Sequence, residues 1–570
     1  LPLNARGAVY NLRMPSHPKL PVLKNQYRSD RVLRAWVNQH LPQGIRNEID
    51  ADLDALGAHA AQAWEEARAR TPAQPILTHF DAVGNRIDRI ESTPVWQRGA
   101  EIATRYGLVA AGHEARHGEY ARCNQLLRVY LHHIASEFYT CPLAMTDGAA
   151  TALKASANDA LIAHAVPRLT SRDVSTFWLS GQWMTELAGG SDVGNTETEA
   201  WQDGDGHWRL TGRKWFTSAV VGDMALTLAR PRGAGPGGHA LAMFYLETHA
   251  ADGSWNGIRI DQLKDKLGTR ELATAEIHLQ GARATAVAGI DHGVRLITPM
   301  LNITRTWNAV GALASIRRCV ALATAYAHQR EAFGKRLIEH PLHAETLADM
   351  QATFEAAFQL VFHLTHLLGR SECGLADADE QACLRLLTPL AKLWTGKLAV
   401  GMASECCEAF GGAGYIENTG IPQLLRDAQV YPIWEGTSNV LALDTLRALG
   451  KTGVGPILHC VERCLQARQD SPLPEALATA ASDIRGSLLE AARWLETHGD
   501  DSFRLQAGAR ALAFSLARAV AAALLWRCAV ASHAAGDARP GHALLRFLSC
   551  PLSHLSYNAF APAFDLLDPA

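Results

Sequence analysis

The chain has 570 residues, 48% hydrophobic and 19% charged, a composition that supports folded domains and excludes a disordered chain. With 54 Lys and Arg against 57 Asp and Glu the formal net charge is -3, so bulk charge gives no support for nucleic-acid binding. The eleven cysteines are scattered without paired CxxC motifs, which favours reduced thiols in an intracellular compartment over a disulfide scaffold or a zinc site.

Apolar residues at three- and four-residue spacing predict helices over residues 29–39 and 54–69. A turn-rich stretch, HFDAVGNRIDRI, follows and ends at Ile90. Helical patterning returns over 96–134, and Ala-rich sequence predicts another helix over 148–164. From about 177 to 285 short apolar runs alternate with Gly, Asp and Asn. There WRLTGRKWFTSA, MALTLARP, HALAMFYLET, GIRIDQLK and TAEIHLQG read as β-strands. Long helices are expected over 303–330, 342–368 and 381–409, broken by the turn GGAGYIENTG at 411–420. A final helical block runs from about 455 to 567, with a break near Ser471. Its most apolar stretch, 511–536, is interrupted by Arg518 and Arg527 and reads as a buried helix, so no membrane span is expected. The division predicted is 1–176 helical, 177–289 β, 290–450 helical and 451–570 an additional helical domain. This order lacks the strand–helix rhythm of a doubly wound sheet, and no GxGxxG opens a helix. The chain begins with Leu1, so localisation stays divided between cytoplasm and mitochondrial matrix.

Four segments could carry chemistry. GQWMTELAGGSDVGNTETEA gathers Gln182, Met184, Thr185, Gly190 and Ser191, and its hydroxyls and close backbone suit a flat polar ring or a phosphate. Its bland alternative is a Gly-rich β-turn. In GRKWFTSAV, Trp215 and Thr217 lie two apart on a strand and are expected on one side, where they could cover a ring and bond a heteroatom. NITRTWNAV and AYAHQREAFGKRLIEHPL place Asn302, Thr304 and Arg305 near a helix start. They put Arg330 and Phe333 at a helix end, where an Arg fork could bind a diphosphate. In RDAQVYPIWEGTSNVLALDTLR, Glu435 stands between Trp434 and Gly436. A desolvated carboxylate there would make a general base; a solvated one would not.

Together, MTELAGGSDV, KWFTS, KLGTR, QREAFGK, AFGGAGY and IWEGTSN, in that order, resemble the acyl-CoA dehydrogenase superfamily over roughly 86–450. FDAVGNRIDRIESTPVW, CPLAMTDGAA and about 120 residues beyond the core make the chain most similar to the AidB-like branch. The resemblance implies a mainly α fold with a central β-barrel-like domain, FAD as cofactor and an acyl-CoA thioester as substrate. It implies that Glu435 removes the α-proton while the β-hydrogen leaves as hydride to flavin N5. The thioester carbonyl would be bonded by the flavin's ribityl hydroxyl and the Glu435 N–H.

It further implies flavin contacts from Gln182, Met184, Thr185, Gly190 and Ser191, with Trp215 flanking the ring and Thr217 bonding N5. Arg330 and Phe333 would reach the FAD of a neighbouring subunit. Gly411 and Gly412 would approach it closely, and Thr437 and Asn439 would contact its adenosine half. Ser191, Asn302, Thr304 and Arg305 correspond to CoA-contacting positions. A homotetramer and electron-transfer flavoprotein as acceptor are implied as partners. Departures stand at Glu408, Pro341 and Asn439, where Gln is frequent, and at Trp434, where Tyr is usual.

Three other functions compete: a nucleic-acid-associated flavoprotein, an oxidase acting on another acidic carbon, and an acyl-CoA-sequestering protein. The first is not favoured. From Lys451 onward eleven basic residues face eleven acidic ones without a basic run. Relatives with the second activity carry Asp where this chain has Glu435. Cys460 and Cys464 lie one turn apart and read as an apolar face, not a metal site.

Overall fold

The computed structural model describes residues 19–69, 73–466 and 473–555. Helix α1 (Arg31–His40) opens at Asp30, whose carboxylate accepts the Val32 and Leu33 amides and caps the first turn. It buries Val32, Leu33, Trp36 and Val37, the stripe that the apolar spacing requires. Helix α2 (Gln43–Ala69) begins eleven residues earlier than its clearest apolar pattern. The stretch expected as turns is instead an antiparallel hairpin, β1 (Ile76–Phe80) and β2 (Arg86–Glu91). Only its tip is a turn, where the Asp81 carboxylate accepts the Val83 and Asn85 amides.

Helices α3 (Pro94–Gln97), α4 (Gly99–Arg105), α5 (Ala121–His133), α6 (Thr140–Ala155) and α7 (Asp159–Leu169) follow. The β region has seven strands: β3 (Ser180–Trp183), β4 (Glu199–Gln202), β5 (Trp208–Ser218), β6 (Met224–Pro231), β7 (Ala242–Glu247), β8 (Ile258–Leu263) and β9 (Thr274–Ala286). The pairings β6–β4, β4–β5, β5–β9, β9–β7 and β7–β6 close a ring; β3 adds to β6 and β8 to β9. Closure leaves the ring strands no free edge and gives the region its own core of Trp183, Leu210, Phe244 and Ile277. β3 and β4, four residues each, are too short to alternate visibly in sequence.

Helix α8 (Gly293–Gln329) begins ten residues before its expected start, with Pro299 inside its first two turns. A short hairpin, β10 (Glu331–Ala332) and β11 (Lys335–Arg336), leads to α9 (Pro341–Glu372), α10 (Ala378–Ala409), α11 (Ile421–Ala428) and α12 (Ser438–Thr452). The last block contains α13 (Gly455–Leu465), α14 (Glu475–His498), α15 (Ser502–Ala534) and α16 (Arg539–Leu548). The break expected at Ser471 and the stretch 556–567 lie outside the described residues. α15 packs on α9, α12, α13, α14 and α16, and its Leu512, Leu516 and Trp526 share one hydrophobic cluster with Leu33, Phe358 and Leu390. α8 and α15 are long and apolar enough to cross a membrane by composition, yet most of each apolar stretch is buried inside the fold.

Candidate active site

A cavity of about 960 Å³ lies where the β region meets α6, α8, α10 and α12. All four of the sequence segments reach it, the third through its Asn302–Arg305 part, and the local fold shows how. Glu186 of MTELAGG and Lys214 of KWFTS form a fully buried ion pair, Nζ to Oε1 2.6 Å, and the Trp215 amide donates to the Thr185 carbonyl at 2.9 Å. These contacts clamp the Gly-rich loop to β5. Gly190 lets the loop fold onto itself, since a Cβ there would stand 2.7 Å from Thr185 Oγ1. Gln182, Met184, Thr185, Gly190, Ser191 and Trp215 all line the cavity. Trp215 is 36% exposed, with the Lys264 ammonium 3.7 Å from the centroid of its ring.

Thr217 requires a correction. Its pairing to β9 shifts register between Lys214 and Thr217, so a bulge interrupts the alternation. Thr217 therefore turns inward, fully buried, and donates to the Ala275 carbonyl at 2.5 Å. Ser218, one residue on, lines the cavity in its place.

The opposite wall is built from α8 and the loop before α12. Glu435 sits in that loop with φ +56, followed by Gly436 at +103. Left-handed backbone costs a non-glycine residue of order 1 kcal/mol, so it persists only where neighbours impose it. Three donors do so. Thr304 Oγ1 donates to Glu435 Oε2 at 2.6 Å, Arg305 Nε to the Glu435 carbonyl at 3.2 Å, and Lys392 Nζ to the Gly436 carbonyl at 2.6 Å. Lys392 is fully buried, and burial pushes its ammonium down to about 7 despite the nearby Glu435 carboxylate. The KLGTR motif supports the approach to this loop. The Thr269 amide donates to Asp427 at 2.6 Å, and a Cβ on Gly268 would stand 2.4 Å from the Arg426 carbonyl oxygen.

Asn302, Thr304, Arg305 and Thr437 line the same cavity. At one end Asp444 receives Arg305 at 3.0 Å and Arg385 at 2.7 Å, with Arg447 at 3.7 Å. Burial opposes its ionisation, but Arg385 and Arg305 hold it below the usual carboxylate range. With Lys451 also on the wall, this end carries more positive than negative charge. Arg385, Arg447 and Lys451 were not singled out from sequence, and neither was Lys392, although a lysine within the apolar run TPLAKLWTG is a usable signal.

Arg330, Phe333, Gly411, Gly412 and Asn439 are not brought to this cavity. Arg330 caps α8, and Phe333 projects from the β10–β11 hairpin 97% exposed. Gly411 and Gly412 lie exposed at the end of α10, and Asn439 accepts a long bond from Arg510, 3.4 Å. In the last helices, Arg485 pairs with Glu462, Arg504 with Asp501, Arg539 with Asp537 and Arg546 with Glu345 and Asp349. These four charges are met by carboxylates of the same chain; Arg468 lies outside the described residues.

Residues 291–450 match the acyl-CoA dehydrogenase C-terminal domain, 181–282 the acyl-CoA dehydrogenase middle domain, and 18–175 the adaptive response protein AidB N-terminal domain. Acyl-CoA dehydrogenase family member 11 of Caenorhabditis elegans is 40% identical over 521 residues, 89% of this chain and 84% of that protein. AidB of Escherichia coli (strain K12) is 33% identical over 467 residues, 80% and 83% of the two chains. A crystal structure of C. elegans ACDH-11 in complex with C11-CoA superposes with a TM-score of 0.90 at 36% identity, covering 97% of this chain and 95% of that one.

The fold and the site thus define a flavin-dependent oxidoreductase of the acyl-CoA dehydrogenase type. The chain belongs to the acyl-CoA dehydrogenase family, in its long AidB-like branch. FAD is the cofactor of this family, and the residues present fit it. Gln182 offers a buried Oε1 with no partner among the described residues, beside the Trp215 ring and the close-approach glycine.

Proposed function

We propose that the protein dehydrogenates an acyl-CoA thioester between its α and β carbons, with Glu435 as the base. The observation that carries this reading is the Glu435 carboxylate on a strained, triply held loop, across one cavity from the Gln182–Trp215 wall. Abstraction of an α-proton needs a base fixed on one side of the substrate, and the Thr304 hydroxyl fixes Oε2 by a short bond to a carboxylate. When bound, FAD supplies the acceptor for the β-hydrogen, taken as hydride. Gln182, Thr185, Ser191, Trp215 and Ser218 would hold its ring system, Ser218 standing where Thr217 was expected. Arg385, Arg447 and Lys451 offer the anionic end of CoA its countercharge, and Arg305 links that end to the base loop. The exposed Phe333 and Arg330 suit contact with a neighbouring subunit's FAD, within a tetramer that passes electrons to electron-transfer flavoprotein.

The test is anaerobic titration of the yellow holoenzyme with acyl-CoAs of increasing length. Bleaching of the flavin band by wild type, and its loss in a Glu435→Gln variant that stays yellow, is the expected result. Equal bleaching by both forms removes Glu435 from the role of base. A yellow wild type that no acyl-CoA bleaches overturns the dehydrogenase reading.

A further inference from the structure

We propose that the deep end of the cavity takes an acyl chain bearing a hydroxyl group several carbons beyond the thioester. This rests on Glu435 being the base, which fixes where the α-carbon lies. On α8, Thr304 touches the Glu435 carboxylate, and Asn308 and Gly311 follow on the same face, all three lining the cavity. Asn308 is four residues past Thr304, about 6 Å along the axis, or between four and five C–C bonds of an extended chain. It therefore stands beside the substrate near C6 or C7.

A wall meant for a plain hydrocarbon tail would be aliphatic there, because a buried polar group left without a partner is destabilising. This wall is polar. Asn308 is buried, and its Oδ1 has no hydrogen-bond partner among the described residues. Against Gly311 stands His133, buried, with Nδ1 2.7 Å from Thr140 Oγ1 and Nε2 2.6 Å from the Tyr431 hydroxyl. Tyr431 in turn lies 2.7 Å from Ser315 Oγ. Gly311 keeps the imidazole uncovered, since a Cβ there would come within 3.0 Å of His133 Cε1.

Burial holds His133 down at about 4, so its ring is neutral, with one donor and one acceptor nitrogen. When Nε2 accepts the Tyr431 proton, the Nδ1–H donates to Thr140. Ser315 then donates to Tyr431, and the Thr140 proton is left facing the cavity. In that tautomer Asn308 supplies an acceptor and Thr140 a donor, the pair that one alcohol satisfies at once; in the other, Thr140 donates to Nδ1 and presents an acceptor, which an alcohol proton also meets. A carbonyl could use only the donor, and a methylene neither.

The experiment compares decanoyl-CoA with 5-, 6- and 7-hydroxydecanoyl-CoA on the FAD-loaded enzyme, reading flavin reduction and kcat/KM. The expected result is that at least one hydroxy isomer exceeds decanoyl-CoA by tenfold or more. Asn308→Val and, separately, Thr140→Val then bring that ratio close to one, each judged only on forms that keep the flavin spectrum. Bleaching by decanoyl-CoA with no preference for any hydroxy isomer overturns the proposal and leaves the dehydrogenase reading standing; the polar wall then holds water. A preference that survives both substitutions also overturns it. No bleaching by any of the four removes the dehydrogenase reading itself, and the proposal with it.

Discussion

Replacing Lys392 by Met is expected to make the protein more stable and less active. The ammonium is fully buried, and among the described residues its one hydrogen bond is to the Gly436 carbonyl at 2.6 Å. Burial lowers it from 10.5 to about 7. Between those values the folded state holds fewer protons than the unfolded one, so this lysine makes stability rise with pH across that window. Below pH 7 it carries its full charge in both states, and the separation corresponds to a cost of about 5 kcal/mol; at pH 7 about 4 kcal/mol remains. Met removes that cost and leaves the Gly436 carbonyl without its donor, a loss of about 1–3 kcal/mol. The variant should thus exceed wild type by about 1–3 kcal/mol at pH 6–7. That advantage should shrink toward pH 10. Flavin reduction should meanwhile slow by about 10–100-fold, because the freed loop carries the base and small misplacements cost that much. Thermal midpoints of both holoenzymes at pH 6, 7, 8.5 and 10, at one protein concentration, check the stability claim. A difference flat with pH, or a variant less stable throughout, refutes the buried charge.

Thr304→Val removes the 2.6 Å donor from the Glu435 carboxylate and should slow single-turnover flavin reduction about tenfold, equivalent to about 1.4 kcal/mol; an unchanged rate would show that the loop alone positions the base. Asp427→Asn bears on the opposite sign. Burial and the Glu271 charge raise the Asp427 carboxyl from 3.8 to about 7, so the folded state holds more protons in that window and stability falls as pH rises through it. Asn keeps an acceptor for the Thr269 amide, so this variant should gain about 4 kcal/mol over wild type at pH 8 and almost nothing near pH 4. Midpoints measured at pH 5 and 8 decide it, equal gains at both counting against the assignment.

The long helices and most strands were legible because each carries its own periodicity. The base and the Gln182–Ser191 loop were legible because their motifs are local. What escaped depends on pairs distant in sequence or on register. Thr217 and Ser218 exchange sides through a bulge that alternation does not announce. His133 and Tyr431 are 298 positions apart and meet only when α5 packs behind the base loop. The hairpin at 76–91 reads as turns because its strands carry charged residues at Arg86, Asp88 and Arg89, of which Asp88 is buried against Arg86 and His79.

α8 carries Asn302 and Arg305 toward the CoA end, Thr304 at the base, and Asn308 and Gly311 at the deep end. One rigid rod thus acts as a ruler, graduated at 1.5 Å per residue, between the place where the head of the substrate is gripped and the place where its tail is read. Lengthening the tail a related enzyme accepts would need no change in the chemistry, only a smaller side chain one turn further along the same face.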